Sequence, residues 1–135
     1  LGDAIFGVDD ENLPNVIVKS LQEKKSALRI AEYGAGADFL NSLSEYKIPF
    51  TTIERLDHQC DMDELIASLS SNPPDPYIVD LWLSVKDTGQ TKSLEVVTRV
   101  NSTIVTAQRF FAGPLGSLDS WVANNLFDNL RRELS

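Results

Sequence analysis

The run Ala31-Glu32-Tyr33-Gly34-Ala35-Gly36-Ala37-Asp38 is where residue types and spacing in this chain come nearest to a ligand site. It stands where a short apolar strand gives way to a helix. Such junctions bind ligands because glycines let the backbone approach closely and the next helix offers unpaired N–H groups. The carboxylate of Glu32 and the phenol of Tyr33 are the side chains with acid–base chemistry before Asp38, and no serine, threonine, cysteine, histidine, lysine or arginine lies between Glu32 and Asp38. The loop has the form of a nucleotide cradle and lacks an ordinary nucleophile. Glu32, Tyr33, Gly34, Ala35, Gly36 and Ala37 are therefore ligand-loop candidates, and no catalytic residue is assigned.

Three other clusters carry weaker signals. Asp57-His58-Gln59-Cys60-Asp61 contains the only histidine and the only cysteine. A closed zinc site needs four ligands, so no metal is expected in a single chain, a site shared between subunits being the open alternative, and closeness alone does not make His58 and Cys60 a nucleophilic pair. Ser84, Lys86 and Thr88 form a polar group near a strand end, where alternation predicts a solvent-facing edge. Arg109 and Gly113 flank the corner Phe110-Phe111-Ala112-Gly113-Pro114-Leu115-Gly116, a secondary pocket candidate for an anion at a helix N-terminus, read chiefly as a packed corner.

The elements that must position these residues follow from periodicity and punctuation. Asn12 and Pro14 open a helix carrying Leu13, Val16, Ile17 and Leu21 and closing at Lys24-Lys25. Leu28-Arg29-Ile30-Ala31 is a strand; after the glycines, Asp38 is a candidate cap for a helix with Phe39, Leu40 and Leu43. Phe50 to Glu54 is a second strand, and Asp61 with Glu64 has capping-box spacing before Leu65, Ile66 and Leu69. Prolines at 73, 74 and 76 end that helix. Tyr77, Val79, Leu81, Leu83 and Val85 then alternate with Ile78, Asp80, Trp82, Ser84 and Lys86 along a long strand. Turns at Asp87-Thr88-Gly89-Gln90 and Asn101-Ser102 bound a meander through Leu94 to Val100 and Thr103 to Phe111. A last helix, with Ser117 as candidate cap, carries the stripe Leu118, Trp121, Val122, Leu126, Leu130 and Leu134 and ends near Arg131-Arg132. This order predicts an α/β fold, a three-layer α/β/α sandwich around a mixed sheet. Trp121 and Phe127 are read as core or dimer-interface residues.

The chain has 135 residues, 42% of them hydrophobic, and a formal charge of -8. Residues 1–135 are read as one domain, whole or as a piece of a longer chain. Clustered positive charge, which nucleic acids and anionic membranes require, is missing, so neither is an expected partner. Single Cys60 rules out an internal disulfide. No apolar run spans a bilayer, and the expected location is cytoplasmic.

Two resemblances attach to these residues. Glu32-x-Gly34-x-Gly36-x-Asp38 resembles the first motif of S-adenosylmethionine-dependent methyltransferases, with Glu54 offered to ribose hydroxyls. Asp38 stands where that family usually has another glycine, and only Ile30 to Glu54 is covered. More of the chain is similar to the C-terminal domain of the CinA, or competence/damage-inducible, family. That likeness runs through Ile5-Phe6-Gly7-Val8-Asp9-Asp10-Glu11-Asn12-Leu13, the first helix and Leu28 to Ala37. It returns at Asp80-Leu81-Trp82-Leu83-Ser84-Val85, at Arg109 to Gly113, and at the end of the last helix, Leu130 to Leu134.

The CinA resemblance implies a homodimer, a small nucleotide ligand and, in active members, hydrolysis of the carboxamide of nicotinamide mononucleotide. The family's first loop has glutamate, serine, cysteine, threonine and two glycines. Only Glu32 and Gly36 match; Tyr33, Gly34 and Ala35 stand at the serine, cysteine and threonine places, and Ala37 at the second glycine. The second threonine-containing loop has no counterpart between Leu56 and Tyr77, and of the family's final glycine, aspartate and arginine only Gly113 remains, followed by Pro114 and Leu115. The expectation is a CinA-like domain without amidase activity, a pseudoenzyme with no cofactor, serving binding, assembly or regulation. Amide hydrolysis through a rebuilt site, with Ser42 or Ser84 beside Lys86 or Tyr33, is the first alternative, and a methyltransferase-like domain the second.

Overall fold

A computed structural model describes residues 13–87, 89 and 91–135. The opening segment before Leu13, including the Asn12 cap, and Thr88 lie outside the described residues. The elements are α1 (Leu13–Lys24), β1 (Ala27–Tyr33), α2 (Ala37–Glu45), β2 (Phe50–Arg55), α3 (Met62–Ser70), β3 (Ile78–Asp87), β4 (Lys92–Val100), β5 (Thr103–Phe111) and α4 (Leu118–Leu134), with a 3-10 turn at Leu115–Ser117. The order is the one the periodicity predicts. The five strands form one mixed sheet, β2-β1-β3-β4-β5, parallel from β2 to β3 and antiparallel beyond it.

Strand alternation sends Leu28 and Ile30 of β1, Leu81 and Leu83 of β3, and Leu94 and Val96 of β4 to one face, where they meet Ile17 and Leu21 of α1, Phe39 and Leu43 of α2, and Leu126 and Leu130 of α4. Phe39 and Phe127 close this layer with ring centroids 5.2 Å apart. The opposite face is covered by α3: Leu65 and Leu69 pack on Ala31, Trp82 and Val97, and the indole N–H of Trp82 donates to Ser68 Oγ at 3.0 Å. Helices thus lie on both faces of the sheet, as a three-layer α/β/α fold requires.

The α3 face corrects one expectation. Alternation along β3 predicts a solvent-facing edge at Ser84, Lys86 and Thr88, yet Ser84 is buried, as is Asp80 on the same face of the strand. Asp80 sits opposite Arg29 of β1 and Arg99 of β4 in register. Arg29 Nε donates to its Oδ1 at 2.6 Å and Arg99 Nε to its Oδ2 at 2.8 Å. Three neighbouring strands therefore satisfy one buried carboxylate, and polarity in the sequence does not mark exposure.

Both sheet edges are open in the described residues. All of β2 is exposed, including Phe50 and Ile53, and Ile104 and Phe110 project from β5. The apolar stripe of α4 is taken up by the chain's own core at Val122, Leu126, Phe127, Leu130 and Leu134, with Trp121 partly buried against it, so of the two residues read as core or dimer interface Phe127 belongs to the core.

Candidate functional site

The connections β1-α2-β2 and β2-α3-β3 place α2 and α3 on opposite faces of the sheet. The strand order reverses between β1 and β3, the crevice where open α/β sheets receive ligands. Tyr33 ends β1 at this point and lies beside Ser84 of β3 in register. The candidate loop then runs through Gly34, Ala35 and Gly36 into α2.

The loop is closed by its own chain. Glu32 is buried, and its Oε1 accepts the Ala35 N–H at 3.1 Å. Gly34 has φ +78°, and a Cβ there would lie 3.1 Å from Val85 Cβ, so the backbone rests directly on β3. Gly36 is the N-cap of α2 with φ 87° and ψ 161°, a conformation that glycine alone adopts readily. Asp38 lies inside the first turn of α2 and does not cap it, a correction to the sequence reading. The carboxylate that meets this helix end is Asp119 of α4, whose Oδ2 accepts the Ala37 N–H at 3.3 Å. A Cβ on Gly36 would stand 2.6 Å from Asp119 Oδ1. The N-terminal site that would attract an anionic ligand thus holds a side-chain anion already. Nothing local in the sequence joins residues 36 and 119, and Asp119 is the site residue that sequence reasoning misses.

Ser84 and Lys86 point to the same side of β3 as Trp82, and Tyr33 adjoins Ser84 across the strand pair. Ser84 is fully buried, and its Oγ accepts the Cys60 N–H at 2.8 Å. Its other sheet neighbour is Glu95, also buried, whose carboxylate accepts Ser93 Oγ–H at 3.2 Å and Gln108 Nε2–H at 3.0 Å. The register brings Tyr33 and Ser84 together as the rebuilt-site alternative requires, but in a packed layer. Ser42 is spent on the Asp38 carbonyl at 2.7 Å and lines a different groove of about 400 Å³ between α2 and α4. Glu54 lies on the exposed β2, paired with Ala31.

The corner candidates separate. Gly113 lines an open groove of about 450 Å³ with Asp87, Lys92 and Phe111. Arg109 instead borders a small cleft of about 10 Å³ against Asn125, Asp128 and Arg132 of α4. Phe111 packs on Trp121, with centroids 5.2 Å apart, and anchors the corner, but Phe110 and residues 112–117 are exposed, so the packed corner expected from sequence is limited to Phe111. Ser117 makes no side-chain cap; the 3-10 turn leads into α4 instead.

At the start of α3 the predicted capping box is present: Asp61 Oδ1 accepts the Glu64 N–H at 3.0 Å, and Glu64 Oε1 accepts the Asp61 N–H at 3.2 Å. The other Glu64 oxygen lies 3.0 Å from His58 Nε2. That hydrogen bond raises the imidazole pKa above its ordinary value and lowers that of the Glu64 carboxyl. Cys60 is buried beneath them, and burial, with the Glu64 and Asp61 carboxylates, pushes its thiol pKa up. An unactivated thiol is a poor nucleophile.

No protein-family model matches the chain, and no curated protein matches it significantly. Solved structures do. A competence or damage-inducible protein from Enterobacter asburiae aligns over 93% of this chain and 98% of its own, at a TM-score of 0.69 and 11% identity. A competence-damaged protein (CinA) superfamily protein from Klebsiella pneumoniae aligns over 93% and 97%, at a TM-score of 0.65 and 12% identity. Another from Enterobacter cloacae aligns over 91% and 90%, at 0.65 and 11%. No helix among the described residues is long and apolar enough to cross a membrane. With a mixed sheet covered by α1, α2 and α4 on one face and α3 on the other, the chain has an α/β fold similar to that of these CinA-superfamily structures.

Proposed function

We propose that this chain is a non-catalytic CinA-like domain with a binding, assembly or regulatory role, working as a homodimer. The observation that carries the reading is the Asp119 carboxylate at the N-terminus of α2, bonded to Ala37 and packed on Gly36. A nucleotide amidase needs an activated nucleophile and donors free to receive a developing oxyanion. In the loop, Gly34 and Ala35 carry no nucleophile, the Ala35 N–H is given to Glu32, and the Ala37 N–H to Asp119. Assembly draws support from the open edges, where Phe50, Ile53, Ile104 and Phe110 are exposed.

The test is ammonia release from nicotinamide mononucleotide by the purified chain, with sedimentation of the same sample. A dimer without turnover is the expected result. Saturable deamidation that disappears on one substitution overturns the non-catalytic reading, and a monomer at all concentrations overturns the assembly.

A further inference from the structure

We propose that His58, Cys60 and Glu64 bind one borderline-soft divalent cation of the zinc class, with water in the fourth position. Their donor atoms, an imidazole nitrogen, a thiol sulfur and a carboxylate oxygen, all lie within 4.8 Å of one another. Among the described residues no other group of three histidine, cysteine or acidic side chains converges in this way. Sequence reasoning counts two ligands against a closed site of four. An open site needs three from the protein, and the fold supplies the third from Glu64 on the first turn of α3.

The donors differ in how firmly they are held, and the difference suits capture of an ion. Cys60 is the fixed member: it is buried against Leu65 and Trp82, and its N–H is tied to Ser84. His58 and Glu64 are side chains at the surface, 64% and 49% exposed. Tetrahedral zinc places its ligand atoms about 3.3–3.7 Å apart, given bonds of about 2.0–2.3 Å. Closing the cluster from separations of up to 4.8 Å therefore takes at most roughly 1–1.5 Å of movement, which the two exposed side chains provide by rotation. Glu64 divides its oxygens so that Oε1 keeps the capping box while Oε2 faces the ion. The ion displaces an exposed His58–Glu64 pair, a contact of small net worth, and the Cys60 Sγ–H bond to the His58 carbonyl at 3.4 Å, a weak sulfur donor.

Charge also fits. The ligand set carries two negative charges once the thiol proton has left, and the Asp57 and Asp61 carboxylates stand close by. The α3 dipole opposes a cation with about half a positive charge, and Lys86 adds one more nearby, so the acidic groups outweigh both. In the binding step the Cys60 S–H bond breaks, a sulfur–metal bond forms and the proton passes to water. Nitrogen and sulfur donors select against magnesium and calcium.

The test is titration of the chelator-treated full chain with Co²⁺, followed by competition with Zn²⁺ and with Mg²⁺. One equivalent of Co²⁺ gives a thiolate-to-cobalt charge-transfer band and strong visible bands of a four-coordinate site. Zn²⁺ abolishes them and Mg²⁺ does not. Cys60→Ser loses the charge-transfer band, and His58→Ala and Glu64→Gln each weaken binding at least tenfold. Glutamine at position 64 keeps the capping box, so Glu64→Gln separates ligation from folding, and circular dichroism checks the fold of every variant. Absence of the band at micromolar Co²⁺, its survival in folded Cys60→Ser, unchanged affinity in His58→Ala or Glu64→Gln, or one ion per two chains overturns the proposal.

Discussion

Asp119 of α4 and Gly36 at the head of α2 occupy the same small space: the Asp119 carboxylate accepts the neighbouring Ala37 N–H, and only a hydrogen in place of a side chain lets Gly36 fit beneath it. This contact decides how the loop after β1 is read. Gly36, in a run that has the form of a ligand cradle, here admits a protein carboxylate. The loop is a junction between α2 and α4, two helices of the main core.

Replacing Asp119 with alanine removes the acceptor from Ala37 and an acidic group from the first turn of α4. The expected loss is roughly 0.5–1 kcal/mol, the lower range for a helix-cap contact since this one is exposed. Urea denaturation at neutral pH measures it.

Gly36→Ala meets both a backbone region that disfavours side chains and the Asp119 oxygen 2.6 Å from the new Cβ. A loss of about 1–3 kcal/mol is expected from the backbone alone. Combining it with Asp119→Ala relieves the clash, so the double variant should be more stable than the sum of the two losses implies. Strict additivity in a double-mutant cycle would show that the two residues do not press on each other.

Asp80→Asn leaves Arg99, almost fully buried, and the half-buried Arg29 without their carboxylate. Breaking such a buried network from one side costs about 3–5 kcal/mol. Thermal and urea unfolding of this variant check the figure, and a change under 1 kcal/mol would mean that water reaches the two guanidinium groups.

The single histidine makes the pH dependence easy to read. In metal-free protein with chelator present, His58 titrates above 6.5 because of its hydrogen bond to Glu64. Stabilisation from the protonated imidazole is complete below the unfolded value and fades as pH rises through the raised folded value. Glu64, held below 4.5, contributes above its unfolded value and loses its part as pH falls through the lowered folded one. The pair acts between these two limits. An NMR titration should show the His58 midpoint returning toward 6.5 in Glu64→Gln.

The order of elements was legible because each carries its own local signal, from the alternation of Val79, Leu81 and Leu83 to the capping box at Asp61 and Glu64. The sheet layers followed from that order. What could not be read were contacts between residues distant in the chain. Asp119 belongs to the cap of another helix, and Asp80 is buried because Arg29 and Arg99 arrive beside it on separate strands. Glu64 was visible as a capping residue, but its second oxygen gains a meaning only when the turn brings His58 and Cys60 to it. The loop's missing nucleophile was plain in Tyr33-Gly34-Ala35; the side chains that fill its space were not.

The most direct measurement is an NMR titration of the chain with nicotinamide mononucleotide, following the backbone amides of Ala35 and Ala37. Their N–H groups are already given to Glu32 and Asp119, so the expected result is that neither signal moves as the nucleotide reaches millimolar concentration and no ammonia appears. Saturable shifts centred on these two amides, accompanied by ammonia release, would contradict the account.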